Sequence, residues 1–319
     1  MSNTKLYLEK VCIRNFKGIK KLEFSPKRIN ILLGPNNVGK TSVLEAIYIA
    51  LIGVNFEDLI SKYKLVKDNS NAWQRLFFAR SKYEFREFDL FFRNREHPFE
   101  IQIKIRGYTY NISFDRSKEM FKIHSPLNTI LYAPFSGRLG GEFSKVSYCF
   151  LYPYVFNSIT VEDLWDELSK RSRNFEGVKS ILKEFGIENL ELSYLRTAGG
   201  KEAILHYKVK NGGKYPIFTL GSGVRTALAL ALLSEVADIV LFDDFEAAIH
   251  PDTANIIGNI LKSSKSQFFI TTQNRDLIKE VSEKTGKDLE VIYIYKDSSY
   301  DIYSGDQVKY ILEHIGDIR

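Results

Sequence analysis

Hydrophobic positions predict that strands and helices alternate in the first part of the chain. Residues 6–16 alternate in the manner of a strand, and residues 21–24 follow as its hairpin partner. Residues 28–33 form a short apolar run that ends at Gly34, which is typical of a buried parallel strand. Apolar side chains then recur with helical spacing over residues 41–52.

The last third of the chain repeats this alternation. Residues 225–236 are apolar almost all round and predict a buried helix, and residues 239–242 predict a buried strand. Further helices are predicted at 253–261, 275–284 and 307–315, and further strands at 267–272 and 289–295. Alternating strands and helices at both ends predict one parallel sheet built from both ends of the chain.

The middle third has a different pattern. Residues 84–123 are rich in Phe, Tyr and Ile and predict several antiparallel strands. Residues 161–185 have helical spacing, and residues 190–209 predict strands again, with glycine pairs as turns. The middle third is therefore expected to form a lobe inserted into the α/β fold.

Composition argues against some classes of protein but does not identify a function. Hydrophobic residues make up 44% of the 319-residue chain, and the charged fraction of 26% argues against disorder. The net charge of +6 permits a nucleic-acid surface but does not require one. Residues 42–54 are too short a run to cross a membrane and contain Glu45, so no membrane insertion is expected. Cys12 and Cys149 lack metal-ligand spacing and are expected to be reduced, which favours a cytoplasmic protein.

A phosphate-binding motif follows the third predicted strand. Residues 34–41 match G-x-x-x-x-G-K-[ST] without a mismatch. Its glycines permit the tight turn that lets backbone N–H groups surround a triphosphate, and the helix N-terminus adds positive charge. We expect Lys40 to bind the outer phosphates and Thr41 to bind Mg²⁺. The loop expected to hold ATP consists of Gly34, Pro35, Asn36, Asn37, Val38, Gly39, Lys40, Thr41 and Ser42.

Two acidic residues follow the strand predicted at residues 239–242. Asp243 is expected to hold Mg²⁺, and Asp244 is expected to polarise the attacking water. The alternative is that Asp243 caps the next helix. Two adjacent acids at the end of an apolar strand favour the metal site over the cap.

The chain resembles a known family in five separate runs. Residues 13–17 and 31–42 resemble the opening of ABC-type ATPase heads of the SMC, RecF and OLD group. Residues 243–251 resemble the D-E-x-E-x-x-L-H-P run of the OLD-like and RecF-like branch, and residues 271–274 resemble its T-T-H-S switch. The glycine-rich turn at residues 221–223 precedes an apolar helix, where this family carries its signature turn.

The resemblance implies an α/β fold of the P-loop NTPase class. It is that of an ABC-ATPase head with a mixed, mainly parallel core sheet, an antiparallel β subdomain and an inserted helical lobe. A single head would cover residues 1–319, with lobe I at about 1–125 plus 236–319 and lobe II at about 126–235. The chain has no sustained heptads and no acidic nuclease run after the head, so a head without coiled coil or nuclease domain is expected.

The resemblance also implies an ATP-dependent homodimer. In that family each nucleotide lies between the phosphate loop of one head and the signature turn of the other. Gly221, Ser222 and Gly223 would then bind the γ-phosphate held by a partner subunit, with N–H groups at a helix N-terminus.

Departures from the family pattern predict slow hydrolysis. The usual catalytic glutamate is Asp244, one methylene shorter. The usual switch histidine is Gln273, which can orient water but cannot take up a proton near neutral pH. The signature turn reads Gly-Ser-Gly in place of Ser-Gly-Gly. A free-standing nucleotide phosphatase and a regulatory ATP-binding module with little turnover therefore stay open as alternatives.

Two further features bear on nucleic acid. Arg14, Asn15 and Lys17 lie where the family often contacts nucleotide or DNA, although the same residues fit an ordinary turn at a strand end. Residues 75–95 interleave arginine with phenylalanine, which suits nucleic acid and also suits a strand with a solvated face. The resemblance implies action in DNA repair, DNA maintenance or anti-phage defence, with a separate nuclease or other effector as partner.

Overall fold

The fold is built around a mixed sheet whose strands are mainly parallel. A computed structural model describes residues 6–63, 98–115, 120–124, 130–134, 148–151, 165, 176–197, 200–210, 212–243 and 251–314. Its strands are β1 (Leu8–Phe16), β2 (Ile19–Phe24), β3 (Ile29–Leu33), β4 (Glu100–Ile105), β5 (Tyr108–Asp115), β6 (Met120–His124), β7 (Ile130–Pro134), β8 (Tyr148–Leu151), β9 (Ile187–Thr197), β10 (Gly200–Val209), β11 (Lys214–Pro216), β12 (Ile239–Phe242), β13 (Gln267–Thr271), β14 (Leu289–Ile294) and β15 (Tyr300–Ser304). Its helices are α1 (Lys40–Tyr63), α2 (Glu176–Glu184), α3 (Ser222–Val236), α4 (Pro251–Ser263), α5 (Arg275–Thr285) and α6 (Gly305–His314).

The central sheet has the strand order β15-β14-β3-β13-β12-β8. Neighbouring strands from β14 to β8 are parallel, and β15 is antiparallel to β14 at the edge. The strands β3, β12 and β13 are buried along their whole length, which explains why their sequences are apolar runs. Because parallel strands end at the same edge, the segments that follow β3, β13 and β12 lie side by side.

Two antiparallel sheets complete the strand arrangement. The larger has the order β2-β1-β4-β5-β6-β7, and the smaller has the order β11-β10-β9. Buried residues alternate with partly buried or exposed ones in β5, as expected for a sheet with one face in a core. The larger sheet covers one side of the molecule and the smaller one leads into α3.

Two hydrophobic cores lie on opposite faces of the central sheet. The first joins the larger antiparallel sheet and α1 to one face, with Phe16 of β1 and Ile47 of α1 among its members. The second packs α2 to α6 on the other face, with Leu230 of α3 and Ile257 of α4 among its members. Since α1 lies between two sheets, its first half is apolar on most sides.

Single polar side chains tie the layers together. Gln267 of β13 accepts a hydrogen bond from the Leu8 amide at 2.8 Å and donates to the carbonyls of Leu8 at 3.0 Å and Lys27 at 2.9 Å. Tyr300 of β15 accepts from the Glu23 amide at 3.2 Å and donates to the Glu23 carbonyl at 3.1 Å. These contacts fix the antiparallel sheet against the central one through backbone atoms of β1 and β2.

Most of the predicted elements that fall on described residues are confirmed, with one clear error. Within the helix predicted at residues 161–185 the structure contains α2, whereas residues 161–164 and 166–175, like residues 84–97 of the predicted strands, lie outside the described residues. The helix predicted at residues 41–52 continues to Tyr63 as α1, so its predicted end is wrong. The strands β7, β8, β11 and β15 were not predicted. Both β7 and β8 lie within residues 126–235, yet β7 pairs with β6 and β8 pairs with β12. The division into two lobes stays a prediction. Among the described residues, no helix is both long and apolar enough to span a membrane.

Candidate nucleotide-binding site

The phosphate loop lies where β3 ends, in the middle of the central sheet. β3 has β14 on one side and β13 on the other, and the loop joins it to α1. The apolar run at residues 29–33 is buried on both faces, so the chain leaves the sheet only at Gly34. This strand–loop–helix order is the context in which the motif was expected to bind phosphate.

Three residues of the loop have a positive φ. The φ angles are 131° at Gly34, 65° at Asn37 and 103° at Gly39. A Cβ atom on Gly34 would collide with the carbonyl oxygen of Ile294 at the end of β14. Gly34 is therefore required both by its φ and by the close passage of β14.

The backbone of the loop offers unpaired donors. Among the described residues, no acceptor receives the amide hydrogens of Asn36, Asn37, Val38 or Gly39. Successive N–H groups of this kind, next to the N-terminus of a helix, form a concave site for an anion. Such a site suits the oxygens of a phosphate chain.

Lys40 reaches back over the same loop. Its Nζ donates to the carbonyl oxygens of Gly34 at 2.7 Å and Pro35 at 2.8 Å. These contacts keep the ammonium group on the loop that carries the unpaired amides. The loop therefore combines N–H donors with a full positive charge, which is the chemistry that a polyphosphate requires.

Thr41 and Asp243 meet at the first turn of α1. Thr41 Oγ1 donates to Asp243 Oδ1 at 3.0 Å, and Asp243 is 4% exposed. The intervening strand β13 contributes Thr271, whose Oγ1 donates to the same carboxylate oxygen at 2.8 Å. Asp243 thus lies beside a hydroxyl of the phosphate-loop helix, as its predicted metal role requires. Thr271 was not singled out from the sequence as a partner of this carboxylate.

The oxygen atoms of Thr41 and Asp243 are of the type that Mg²⁺ prefers. Within the part of the chain that the structure describes, no group of three or more His, Cys, Asp or Glu residues could hold a metal ion by itself. Mg²⁺ beside a nucleotide usually takes further oxygens from phosphate and water, and a metal at this pair would be expected to do the same.

Gln273 follows β13 and contacts the phosphate loop. Its Nε2 donates to Asn36 Oδ1 at 2.7 Å. The next residue, Asn274, caps α5, because its side chain accepts from the Leu277 amide at 2.9 Å. The structure therefore brings the predicted switch residue to the loop, through a contact with Asn36 that sequence reasoning did not predict.

Asp244 lies outside the described residues, as does the rest of residues 244–250. The description resumes at Pro251, where α4 begins. The role predicted for Asp244 stays a prediction. The arginine-rich stretch within residues 75–95 also lies outside the described residues.

The glycine-rich turn lies at the N-terminus of α3. Gly221 is the residue before the helix, and Ser222 and Gly223 begin it. Gly221 and Ser222 are exposed, and no side chain caps this end of the helix. Since α3 packs on the face of the central sheet opposite to α1, the turn and the phosphate loop belong to different layers.

Arg14 and Asn15 lie at the end of β1, beside the turn to β2. Arg14 Nη1 is 4.0 Å from Glu100 Oε2, its neighbour across the sheet, and both side chains are half exposed. No described contact links Arg14 to the phosphate loop. Sequence reasoning missed the nearby pair of Lys17 and Glu45, whose Nζ and Oε2 lie 2.7 Å apart. A lone glutamate in an otherwise apolar helical run was the signal that could have found it.

Comparison with known proteins finds similarity over most of the chain. Residues 7–290 match the family model described as the RecF/RecN/SMC N terminal domain. A "DNA replication and repair protein RecF" from Clostridium acetobutylicum is 23% identical over 319 aligned residues, which cover 88% of this chain and 84% of that protein. A "DNA double-strand break repair Rad50 ATPase" from Nanoarchaeum equitans is 43% identical over 58 residues, or 18% of this chain and 7% of that protein.

Solved structures agree on the fold. The Smc head domain from Pyrococcus furiosus, with an extended coiled coil and bound to the C-terminal domain of ScpA, superposes with a TM-score of 0.52 and 12% identity. The superposition covers 98% of this chain and 100% of the Smc head chain. The predicted fold, an α/β ABC-type ATPase head with a mixed core sheet and an antiparallel sheet, is confirmed.

Proposed function

Because the chain belongs to the RecF/RecN/SMC N-terminal domain family, we propose that it is an ATPase head that binds ATP with Mg²⁺ and hydrolyses it slowly. We further propose that a second copy pairs with it while ATP is bound. The family is one that binds nucleotide, which leaves the metal, the rate of turnover and the dimer to be tested.

One observation carries the proposal. The unpaired amides of residues 36–39, the ammonium of Lys40, and the Thr41–Asp243 pair all lie at one edge of the central sheet. Donors, a cation and a metal-binding pair of oxygens are the groups that Mg-ATP needs, and they come from segments far apart in the chain.

Roles follow from the chemistry of each group. Lys40 and the backbone amides would neutralise the phosphate oxygens, and Thr41 and Asp243 would hold Mg²⁺, which would supply further positive charge to the phosphates. The contact of Gln273 with Asn36, on the phosphate loop, supports a role for Gln273 in orienting a water molecule. Asp244 polarises that water and takes up its proton. The side-chain amide of Gln273 cannot take up a proton as a histidine in this position could, so turnover is expected to be slow.

The position of the signature turn supports the dimer. Gly221 and Ser222 are exposed at the N-terminus of α3, and α3 and α1 pack on opposite faces of the sheet. An exposed helix N-terminus attracts phosphate. In the proposed dimer it meets the γ-phosphate held by the partner's phosphate loop.

Relatives suggest the biological setting. The RecF and Rad50 proteins that match this chain are named for DNA replication and repair, and the Smc head is bound to the C-terminal domain of ScpA. We propose a role in DNA repair or maintenance, with DNA as a ligand and a separate protein as partner. Anti-phage defence stays a prediction from the sequence.

Calorimetric titration with Mg-ATP tests the binding step. The intact chain is expected to bind, and Lys40→Ala is expected to weaken binding by tenfold to a hundredfold or about 1.5–3 kcal/mol, the range for a hydrogen bond to a charged group. Lys309→Ala, which removes an exposed lysine of α6, serves as the matched control. Equal binding by Lys40→Ala and the control would refute the proposal.

Single-turnover phosphate release separates the alternatives. An ATPase head releases phosphate slowly, and Asp244→Ala abolishes the release. A binding module with little turnover shows none in either protein. A free-standing nucleotide phosphatase releases phosphate without any change of oligomeric state on ATP binding.

A further inference from the structure

The turn between β1 and β2 is tied to α1 by a buried ion pair. Lys17 Nζ lies 2.7 Å from Glu45 Oε2, and the side chains are 22% and 1% exposed. A carboxylate buried this deeply loses its hydration, and a cation at this distance offsets part of that cost. Removing either partner is therefore expected to disturb more than a surface ion pair would.

The turn itself has an unfavourable backbone. Asn15 and Lys17 have φ angles of 53° and 47°, although neither is glycine. This conformation costs about 1–2 kcal/mol at Lys17 unless its surroundings hold it, and less at Asn15, because asparagine adopts the left-handed region more readily. Phe16, which lies between them, is fully buried and packs edge-on against Phe99 with ring centroids 5.3 Å apart. The aromatic contact and the ion pair together hold this conformation.

The same turn packs directly on the phosphate loop. A Cβ atom on Gly39 would lie 3.3 Å from Ile19 Cγ1, and a Cβ atom on Gly18 would lie 3.7 Å from Gly39 Cα. No side chain separates the two segments at this point. Because the Gly39 amide is among the unpaired donors, a shift of the turn moves a group that is expected to bind phosphate.

Glu45 lies one helical turn after Thr41 on α1, so the two side chains leave the same side of the helix. We propose that Glu45 is a positioning residue that acts through Lys17. The pair holds the β1–β2 turn against Gly39 and keeps the phosphate loop in the shape that accepts a triphosphate. This inference rests on the proposed ATP binding and extends it to two residues outside the phosphate loop and the switch.

A double-mutant cycle on ATP affinity tests the proposal. Glu45→Gln keeps the shape of the side chain and removes its charge, and Lys17→Met removes the cation. Each variant is expected to weaken Mg-ATP binding about tenfold, and the double variant is expected to lose no more than either single one. Lys17→Arg, which keeps the charge, is expected to restore most of the affinity.

The hairpin provides a matched control pair. Lys10 of β1 and Glu23 of β2 form an ion pair on the same hairpin, with Nζ and Oε1 2.6 Å apart and side chains 43% and 35% exposed. Lys10→Met and Glu23→Gln are expected to leave ATP affinity unchanged. The proposal is wrong if Glu45→Gln and Lys17→Met also leave it unchanged, or if their effects add in full.

Hydrogen exchange distinguishes positioning from plain stabilisation. ATP is expected to protect the amides of the β1–β2 turn in the intact chain and not in Lys17→Met. If Glu45→Gln does not fold, the affinity and exchange of Lys17→Met, whose side chain lies in a turn, still decide the matter. No ATP binding by the intact chain would refute the proposed function, whereas normal binding with unaffected variants would refute this inference alone.

Discussion

At the scale of single residues, the site depends on contacts that leave no room for a side chain. Gly34 turns the chain out of β3 with a φ of 131°, and its Cα faces the Ile294 carbonyl of β14. The loop cannot move away from β14 without unpairing β3, because the two strands are in register up to Tyr293 and Leu33. At Gly34, the pairing of β3 with β14 therefore also determines the shape of the loop.

Gly34→Ala is expected to lower the free energy of unfolding by at least about 2 kcal/mol, because the new Cβ is strained and also collides with backbone. It is also expected to abolish ATP binding. Urea unfolding and calorimetry measure the two effects. Gly107→Ala is the control, since Gly107 has a φ of 77° but nothing within 4 Å of its Cβ position. Equal losses in both variants would show that the collision with Ile294 contributes nothing.

At the scale of elements, α5 fixes the switch residue. Asn274 caps the helix by accepting from the Leu277 amide at 2.9 Å, and its own amide donates to Thr272 Oγ1 at 3.0 Å. Gln273 lies between these two anchored residues and reaches Asn36. The cap therefore contributes to the geometry of the site as well as to the stability of the helix.

Asn274→Ala is expected to lower the free energy of unfolding by about 1 kcal/mol, the usual cost of losing a helix cap. Asn274→Asp keeps an acceptor at the helix N-terminus and is expected to cost much less. Thermal unfolding measures the difference, and phosphate release by both variants shows whether Gln273 is disturbed. If the two substitutions cost the same, the side-chain cap does not stabilise α5.

The elements around the site were predictable because their signals are local. An apolar run, a glycine-rich loop and a helical repeat follow one another at β3, the phosphate loop and α1. The end of α1 was missed because Gly53 interrupts the apolar run, although the helical spacing of apolar residues resumes at Phe56 and continues to Tyr63. β15 was missed because it is short and mostly exposed, so its residues need not alternate.

Contacts between distant segments were predictable only where a motif placed both partners. The approach of Thr41 to Asp243 was expected because both follow buried parallel strands. Thr271 and the Lys17–Glu45 pair were not, because nothing in a local pattern specifies which strand lies between two others or which turn packs on a helix. Asp244 lies outside the described residues, so its predicted role is unchanged.

At the scale of the whole molecule, the proposed dimer would place the two halves of the ATP site on different copies. The phosphate loop and the signature turn are carried by helices on opposite faces of the central sheet. In that arrangement a monomer would bind ATP incompletely, and a second copy would add the remaining donors. Association is therefore expected to depend on ATP and to be lost after hydrolysis.

Asp244→Asn is expected to bind ATP without cleaving it and to accumulate as a dimer, because the bound triphosphate is not consumed. Light scattering after size-exclusion chromatography, with and without Mg-ATP, measures the shift. Adding Ser222→Arg, which places a bulky side chain at the exposed start of α3, is expected to return the protein to a monomer that still binds ATP. A dimer that forms equally well without ATP would contradict the proposed arrangement.

The hydroxyl of Tyr300 is expected to affect the tendency of the chain to aggregate at high concentration. β2 is the edge of the larger antiparallel sheet, and an open edge invites strands of other molecules to add to it. Tyr300 occupies both the amide and the carbonyl of Glu23 on that edge. This contact is therefore expected to disfavour the addition of another strand at Glu23, in a protein whose proposed function requires it to associate through another surface.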